Sequence, residues 1–354
     1  MIEIIVPVYN AEDNIEQLFG SLIAQTKQHS FIVSFVDDCS TDNSVQLIEE
    51  WIDKVSFPCR ILHTEKNMHS PGLTRQVALD NPISRAEYVM FLDSDDELLP
   101  NAIKDLSEAI MTNNCPFVSS QIFMETNDEY TILDLEDNLT WLHGKIYSRN
   151  FLEKYNIRFF EGMNEDAGFN QTCKFYWELE CIKGERVEEN CGIRERTYFW
   201  RNYKKSATRS DDYFIQSITK DIVNNYTLTY KRILNYLNMT GDLSNKKVEV
   251  KIYNHIVYHL SLFYELINKL YFINKPEEEI REVYSKIIKY CQDTKLYDLE
   301  WIDDYKKSFV KRPLDLNFTY ISLVDFLKKI GIKVDLRPKM LVQRLEENNE
   351  NYIN

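Results

Sequence analysis

Through its first hundred residues the chain alternates short apolar, often β-branched runs with stretches of helical periodicity. Ile2–Val8, Phe31–Val36, Arg60–His63 and Tyr88–Leu92 have strand character. Between them, Ile15, Leu18, Phe19, Leu22 and Ile23 share one helical face, Val45, Ile48 and Trp51 share another, and a third helix runs from about Gly72 to Leu79. Such alternation predicts an α/β fold with a mainly parallel sheet and right-handed crossovers. The unbroken apolar run Tyr88–Leu92 fits a strand covered on both faces. Ligands in such sheets bind beyond the carboxyl ends of strands. Asp37 and Asp38 follow the second strand, and Asp93, Asp95, Asp96 and Glu97 follow the fourth, so both acid clusters should converge on one edge. Carboxylates crowded there repel unless cations or hydrogen-bond donors compensate them. A hard divalent metal carrying a diphosphate on its other faces does so economically.

After a helix from Asn101 to Met111 the pattern changes to short strands, around Phe117–Phe123 and Thr131–Leu135, which suggests a mixed or antiparallel segment. Phe151–Tyr155 looks helical, and the polar loop EGMNED, Glu161–Asp166, leads into the amphipathic run Phe169–Trp177. The aromatic run Thr197–Trp200 precedes a basic segment containing Arg201, Lys204, Lys205 and Arg209, able to receive a diphosphate. From about Asp211 the spacing is helical, with breaks near Gly241 and Pro276. The expected organisation is a catalytic domain over 1–210 and a mostly helical region over 211–354, serving acceptor binding or oligomerisation.

A length of 354 residues with 44% hydrophobic content suits two such domains. The formal charge of -14 disfavours a general affinity for nucleic-acid phosphates. Seven scattered cysteines without paired spacing fit reduced thiols better than disulfides or zinc. The chain opens directly in MIEIIVPVYN, and no apolar run approaches membrane-spanning length. These features suit a cytoplasmic enzyme without a transmembrane segment, with room for peripheral attachment at the inner face of a membrane.

Taken together, the ordered segments IIVPVYNAEDNIEQLFGSLIAQT, VDDCSTDNS, GLTRQVALD, FLDSDD, GKIYSRNFLEKYNIRF, NEDAGF and YFWRNYKKSAT resemble the inverting glycosyltransferases of family 2, which have a GT-A fold. The resemblance covers roughly the first 210 residues. It implies that Pro7, Val8 and Tyr9 line a nucleotide pocket, that Asp38 recognises the base, usually uracil, and that Arg75 helps to hold the nucleotide. Gln76 and Ala78 depart from the Asn and Gly common in that segment. DSDD resembles the family's metal and ribose motif, with Asp93 and Ser94 near the ribose or sugar and Asp95 at a Mn2+ or Mg2+ ion. Asp96 is able to replace or assist Asp95. Glu165 and Asp166 resemble the family's acidic pair, with Asp166 the general base and Glu165 orienting or binding the acceptor. Lys145, Arg201, Lys204 and Lys205 are secondary candidates for diphosphate or acceptor contacts, and Trp200 for a sugar-stacking platform.

The implied activity is metal-dependent transfer of a sugar, from a UDP-sugar first of all, to a hydroxyl of a glycan or glycolipid in polysaccharide biosynthesis. Two alternatives stay open: glycosylation of a protein side chain or modified nucleic-acid base, and a catalytically silent nucleotide-sugar-binding module. A nucleotidyltransferase also uses strand-end acids and a metal, but the first strand-to-helix connection has no Gly-rich phosphate loop.

Overall fold

The computed structural model describes residues 1–25, 30–113, 115–125, 130–133, 141–162, 165–187, 191–201, 222–249, 251, 252, 255 and 286. Lys204 and Lys205 lie outside these residues, as do the sequence-expected helices beyond residue 255 and the break near Pro276. The chain divides into two compact units, Met1–Ser217 and Ile218–Asn354.

In the first unit, β1 (Ile2–Val8), α1 (Ile15–Ile23), β2 (Phe31–Asp37), α2 (Ser44–Ile52), β3 (Cys59–His63), α3 (Pro71–Asp80) and β4 (Tyr88–Phe91) realise the alternation read from the sequence. β3, β2, β1 and β4 lie side by side and parallel, with Ile5 of β1 opposite both Ser34 and Phe91. The register brings the carboxyl ends of β1, β2 and β4 to one edge. α1 buries Ile15, Leu18, Phe19 and Leu22, the i, i+3, i+4, i+7 set of an amphipathic helix. α3 starts where Ser70 accepts from Leu73 N–H and Pro71 supplies a preset φ.

β5 (Glu97–Leu98), α4 (Ala102–Thr112), β6 (Phe117–Glu125), β7 (Tyr130–Leu133), β8 (Lys145–Ser148), α5 (Arg149–Lys154), α6 (Glu165–Ile182) and β9 (Gly192–Trp200) complete the unit. They extend the sheet in the order β3-β2-β1-β4-β8-β6-β9-β5, with β7 paired to β6. β8 runs antiparallel to β4 and β6, whereas β6 and β9 are parallel across a register shift between Ser120 and Ile122. The mixed segment foreseen after residue 117 is therefore present. The two-residue β5, antiparallel to β9, carries no sequence signal at that length.

The parallel core buries a charge at Glu3. Glu3 on β1 is fully buried between Arg60, 2.7 Å away, and Arg149, and accepts from Ser34 Oγ at 2.5 Å. A buried carboxylate satisfied on both oxygens joins β1, β2, β3 and α5 with geometry that apolar packing alone does not specify.

The seven-reduced-thiol expectation fails at one pair: Cys115 and Cys191 form a disulfide. They are 76 residues apart, so no spacing signal marks them, and they meet because one precedes β6 and the other β9, which are paired. Cys39, Cys59 and Cys173 are free thiols.

In the second unit α7 (Ile222–Thr240) buries Tyr226, Tyr230, Ile233 and Leu237 at helical spacing and ends at Gly241, whose φ of 75° favours glycine. Among the described residues no helix is long and apolar enough to cross a membrane.

Candidate active site

The first loops at the sheet's carboxyl edge are tied together. Asp38 N–H donates to Val8 O at 2.8 Å, Asn10 N–H to Ser40 Oγ at 3.0 Å, and Thr41 N–H to Asn10 Oδ1 at 2.8 Å. Asn10, Cys39 and His69, one in each of the loops after β1, β2 and β3, hold positive φ values of 49°, 62° and 50°. Such backbone persists where its surroundings over-determine it, and it concentrates at ligand clamps. Pro7 and Val8 end β1, and Tyr9 beyond them is 51% exposed, which leaves its ring face open. Asp38 is buried, and its Oδ1 accepts from Thr64 Oγ1 and from Met68 N–H, each at 2.8 Å. Met68 N–H also lies 3.1 Å from Oδ2, so Asp38 shapes the loop leading to α3, and Oδ2 keeps a second lone pair for a further donor.

Arg75 on α3 is the hub. Its guanidinium is buried; Nη2 donates to Asp93 Oδ1 at 2.5 Å, and Nη1 donates to Glu165 Oε1 at 3.1 Å and stands 3.5 Å from Asp166 Oδ1. One fork thus joins the acid after β4 to the two acids in the first turn of α6, the nearer of which is 90 residues beyond Arg75 in the chain. The helix N-terminus favours negative charge there. An aromatic wedge holds α6 in place: Phe91 of β4 meets Phe159 and Phe169 edge-on at 5.4 and 5.6 Å, and those two stack at 4.3 Å. Gly72 fits beneath Glu165 because it lacks a side chain: a Cβ there would lie 2.3 Å from Glu165 Cγ.

His143, in the turn before β8, was not singled out by sequence. Its Nε2 lies 3.3 Å from Asp93 Oδ2 and 3.9 Å from Asp96 Oδ2, and its ring stacks on Tyr198 with centroids 4.7 Å apart. Tyr198 donates to Asp96 Oδ2 at 2.7 Å and accepts from Asp93 N–H at 3.2 Å; Arg201 N–H donates to Asp96 Oδ1 at 2.9 Å. Asp93, Asp96 and His143 offer ligand atoms within 4.8 Å of one another. Sequence pointed to Asp95; that residue is half-buried beside this group, and its charge acts on Asp96. The remaining candidates are Ser94, half-buried in the same turn, Trp200 at the end of β9, and Arg201, which pairs with Glu97. Lys145 is buried, and its ammonium donates to the Trp141 carbonyl.

The environments separate the acids. Burial pushes the Asp93 carboxyl up, but Arg75 and His143 outweigh burial and hold it well below the usual range. Burial raises Asp96 well above it, with Asp95 and Asp93 adding to the effect against His143. Burial and the Asp166 charge push Glu165 up to about 8, and burial raises Asp166 against the pull of Arg75. Groups of one type driven apart in a single cleft are the usual sign of divided acid, base and charge-binding roles.

Residues 3–165 match the family described as glycosyl transferase family 2. The poly(ribitol-phosphate) beta-N-acetylglucosaminyltransferase TarS of Staphylococcus aureus strain MW2 is 32% identical over 223 residues, which are 59% of this chain and 37% of that protein. The chain thus spans little more than a third of that relative's length. The poly(ribitol-phosphate) beta-N-acetylglucosaminyltransferase TarP of S. aureus strain N315 is 22% identical over 97% of this chain and 99% of its own. A crystal structure of S. aureus TarS residues 1–349 in complex with UDP-GlcNAc superposes with a TM-score of 0.62 at 20% identity, covering 93% of this chain and 90% of that one. That likeness is one of fold. The segment from Glu3 to Glu165 thus matches glycosyl transferase family 2, and the chain around it has the fold of the TarS fragment.

Proposed function

We propose that the chain transfers a sugar from a UDP-sugar to a hydroxyl of a glycan or alditol-phosphate polymer, with inversion at the anomeric carbon. The observation that carries this reading is the Arg75 fork, which holds the strand-end acid Asp93 against the helix-start pair Glu165 and Asp166. A donor-binding half and a proton-accepting half are thereby fixed next to each other. The S. aureus TarS fragment was crystallised with UDP-GlcNAc, and TarS and TarP are named for transfer to poly(ribitol-phosphate); these support the donor and acceptor classes.

A divalent cation fits the residues present. Two carboxylates and an imidazole whose ligand atoms converge are a donor set suited to Mn2+ or Mg2+. The raised Asp96 carboxyl marks negative charge that a cation there would relieve. Asp93, Asp96 and His143 would hold the ion, with Asp95 adjacent. Bound there, it would neutralise charge on the departing diphosphate.

The chain's own groups account for the rest. Asp166 accepts the proton of the acceptor hydroxyl as its oxygen bonds to the anomeric carbon and the bond to the UDP oxygen breaks on the opposite face. A Leu142 N–H bond and the Arg75 fork orient that carboxylate, and burial raises its basicity above that of a free aspartate. Arg75 keeps Glu165 beside it, where Glu165 orients the base or the acceptor. Tyr9 offers a ring face to the base, and Asp38 fixes the loop beside it and retains acceptor capacity for the uracil N–H. Residues 1–210 would then form the catalytic domain, with 211–354 serving acceptor binding or oligomerisation.

The test is incubation of the chain with UDP-GlcNAc, poly(ribitol phosphate) and Mn2+, followed by proton NMR of the product. The expected result is UDP release with a β-linked sugar on the polymer from the α-linked donor. Release of pyrophosphate, or retention of the α configuration, would contradict the proposal.

A further inference from the structure

Two indoles border the acid cluster on the side away from the nucleotide loops. Trp141 and Trp200 are both half-buried, with ring centroids 5.2 Å apart and planes inclined at 57°. The His143 ring, whose Nε2 faces Asp93 at 3.3 Å, is 5.2 Å from Trp200. Trp177, by contrast, is 8% exposed and packs edge-on against Phe117, as a core indole does.

Their backbones are anchored to the acids. Leu142 N–H, next to Trp141, bonds to the Asp166 carboxylate, and Arg201 N–H, next to Trp200, bonds to Asp96 Oδ1 at 2.9 Å. The Trp141 carbonyl accepts from Asn170 Nδ2 at 2.9 Å and from Lys145 Nζ, so this segment is held in place ahead of ligand binding. Sheet order completes the placement. The nucleotide loops follow β1 and β2, on one side of β4, whereas Trp141 precedes β8 and Trp200 ends β9, both on the other side. A donor whose base lies over β1 and β2 and whose diphosphate meets the acids after β4 leaves the indole side to the acceptor.

We infer that Trp141 and Trp200 form the acceptor platform, and that its occupant is a pyranose or alditol unit. This deepens the proposed transferase reading and rests on it. Rigid indoles give large apolar contact at little conformational cost, while the hydroxyls of a sugar keep their water. The inclination matters for ligand class. With centroids 5.2 Å apart the indoles touch each other, so no flat base is sandwiched between them, and their planes at 57° form an angled surface across which a puckered ring or carbon chain lays its C–H bonds. The pair stands beside Asp166, so a unit seated on it would bring its hydroxyl to the proposed base.

The test is calorimetric titration of the full chain, in the presence of UDP, with poly(ribitol phosphate), with chitohexaose and with an oligothymidylate. UDP affinity is measured separately. At least one of the first two should bind. Trp141→Ala and Trp200→Ala should each weaken that binding about tenfold, with Phe at either position restoring most of it and UDP affinity unchanged. Undiminished binding in both Ala variants overturns the inference, as does an equal loss of UDP affinity, which would put the indoles in the donor site. Binding of the oligothymidylate in preference to both carbohydrates overturns the ligand class, and no binding of either carbohydrate overturns the platform. If tryptophan-dependent carbohydrate binding persists but no sugar is ever transferred from UDP-GlcNAc, the transferase reading fails and the platform stands.

Discussion

Arg75 Nη1 lies 3.1 Å from Glu165 Oε1, and both side chains are buried. Such a pair is stable because its guanidinium also serves Asp93 and Asp166; it compensates three carboxylates that would otherwise repel one another. Arg75→Ala should destabilise the first unit by about 3–5 kcal/mol, because it leaves buried charges unpaired. Arg75→Lys keeps the charge but loses the fork, and should fall between Ala and wild type. Urea unfolding measures both. Equal midpoints for wild type and Arg75→Ala would refute the hub.

Gly72 allows Glu165 its position. In Gly72→Ala the new Cβ would meet Glu165 Cγ at 2.3 Å and Phe159 Cδ1 at 3.1 Å. Overpacking of this kind destabilises by about 1–3 kcal/mol. Turnover should fall with it, since Glu165 and Asp166 are neighbours on α6. Unchanged turnover and melting temperature would show that the acid pair tolerates displacement.

Lys145 carries a pH signature. Burial lowers its ammonium to about 7, against the pull of Asp166 and Cys173. Its folded pKa lies below the unfolded value of about 10.4, so the unfolded chain binds more protons between these values. Its contribution to stability is then complete above about pH 10.4 and is lost as pH falls towards 7. Lys145→Met should flatten the urea midpoint between pH 7 and 10 relative to wild type. Parallel curves for the two proteins would exclude this assignment.

Metal binding separates the sequence candidate from the structural one. Asp96→Asn and His143→Ala should each weaken Mn2+ binding in the presence of UDP by at least about tenfold. Asp95→Asn tests the residue that the motif favours, outside the three-residue donor group. Calorimetric Mn2+ titration of the three variants decides between them. A loss confined to Asp95→Asn would return the ion to that residue.

Part of the candidate site is legible in the amino-acid pattern itself. Strand periodicity and acids at strand ends place Asp38 and Asp93 at one edge, because a parallel sheet aligns strand termini. Pattern alone puts Glu165 and Asp166 at the end of a polar loop before an amphipathic helix, and the family resemblance is what marks them as an acidic pair; their meeting with Arg75 depends on tertiary packing, in which Phe91, Phe159 and Phe169 hold α6 against β4. His143 was missed because its place beside Asp93 and Asp96 depends on β8 entering the sheet antiparallel beside β4. The available signal was a titratable side chain at the mouth of an apolar strand, directly before Gly144, whose φ of 63° turns the chain. Cys115 and Cys191 escaped for the same reason: they precede strands whose pairing is non-local. Local pattern specifies elements, whereas side chains meeting across distant strands depend on the assembled sheet.

The most direct test of the account is steady-state transfer from UDP-GlcNAc by Asp166→Asn beside wild type, with UDP affinity measured on both. The expected result is a fall in kcat of about 10²–10⁴ with UDP binding retained, because the amide keeps the shape of the site but cannot take the hydroxyl proton. Wild-type turnover in Asp166→Asn would contradict the assignment of Asp166 as the base, and with it the role given to the Arg75 cluster.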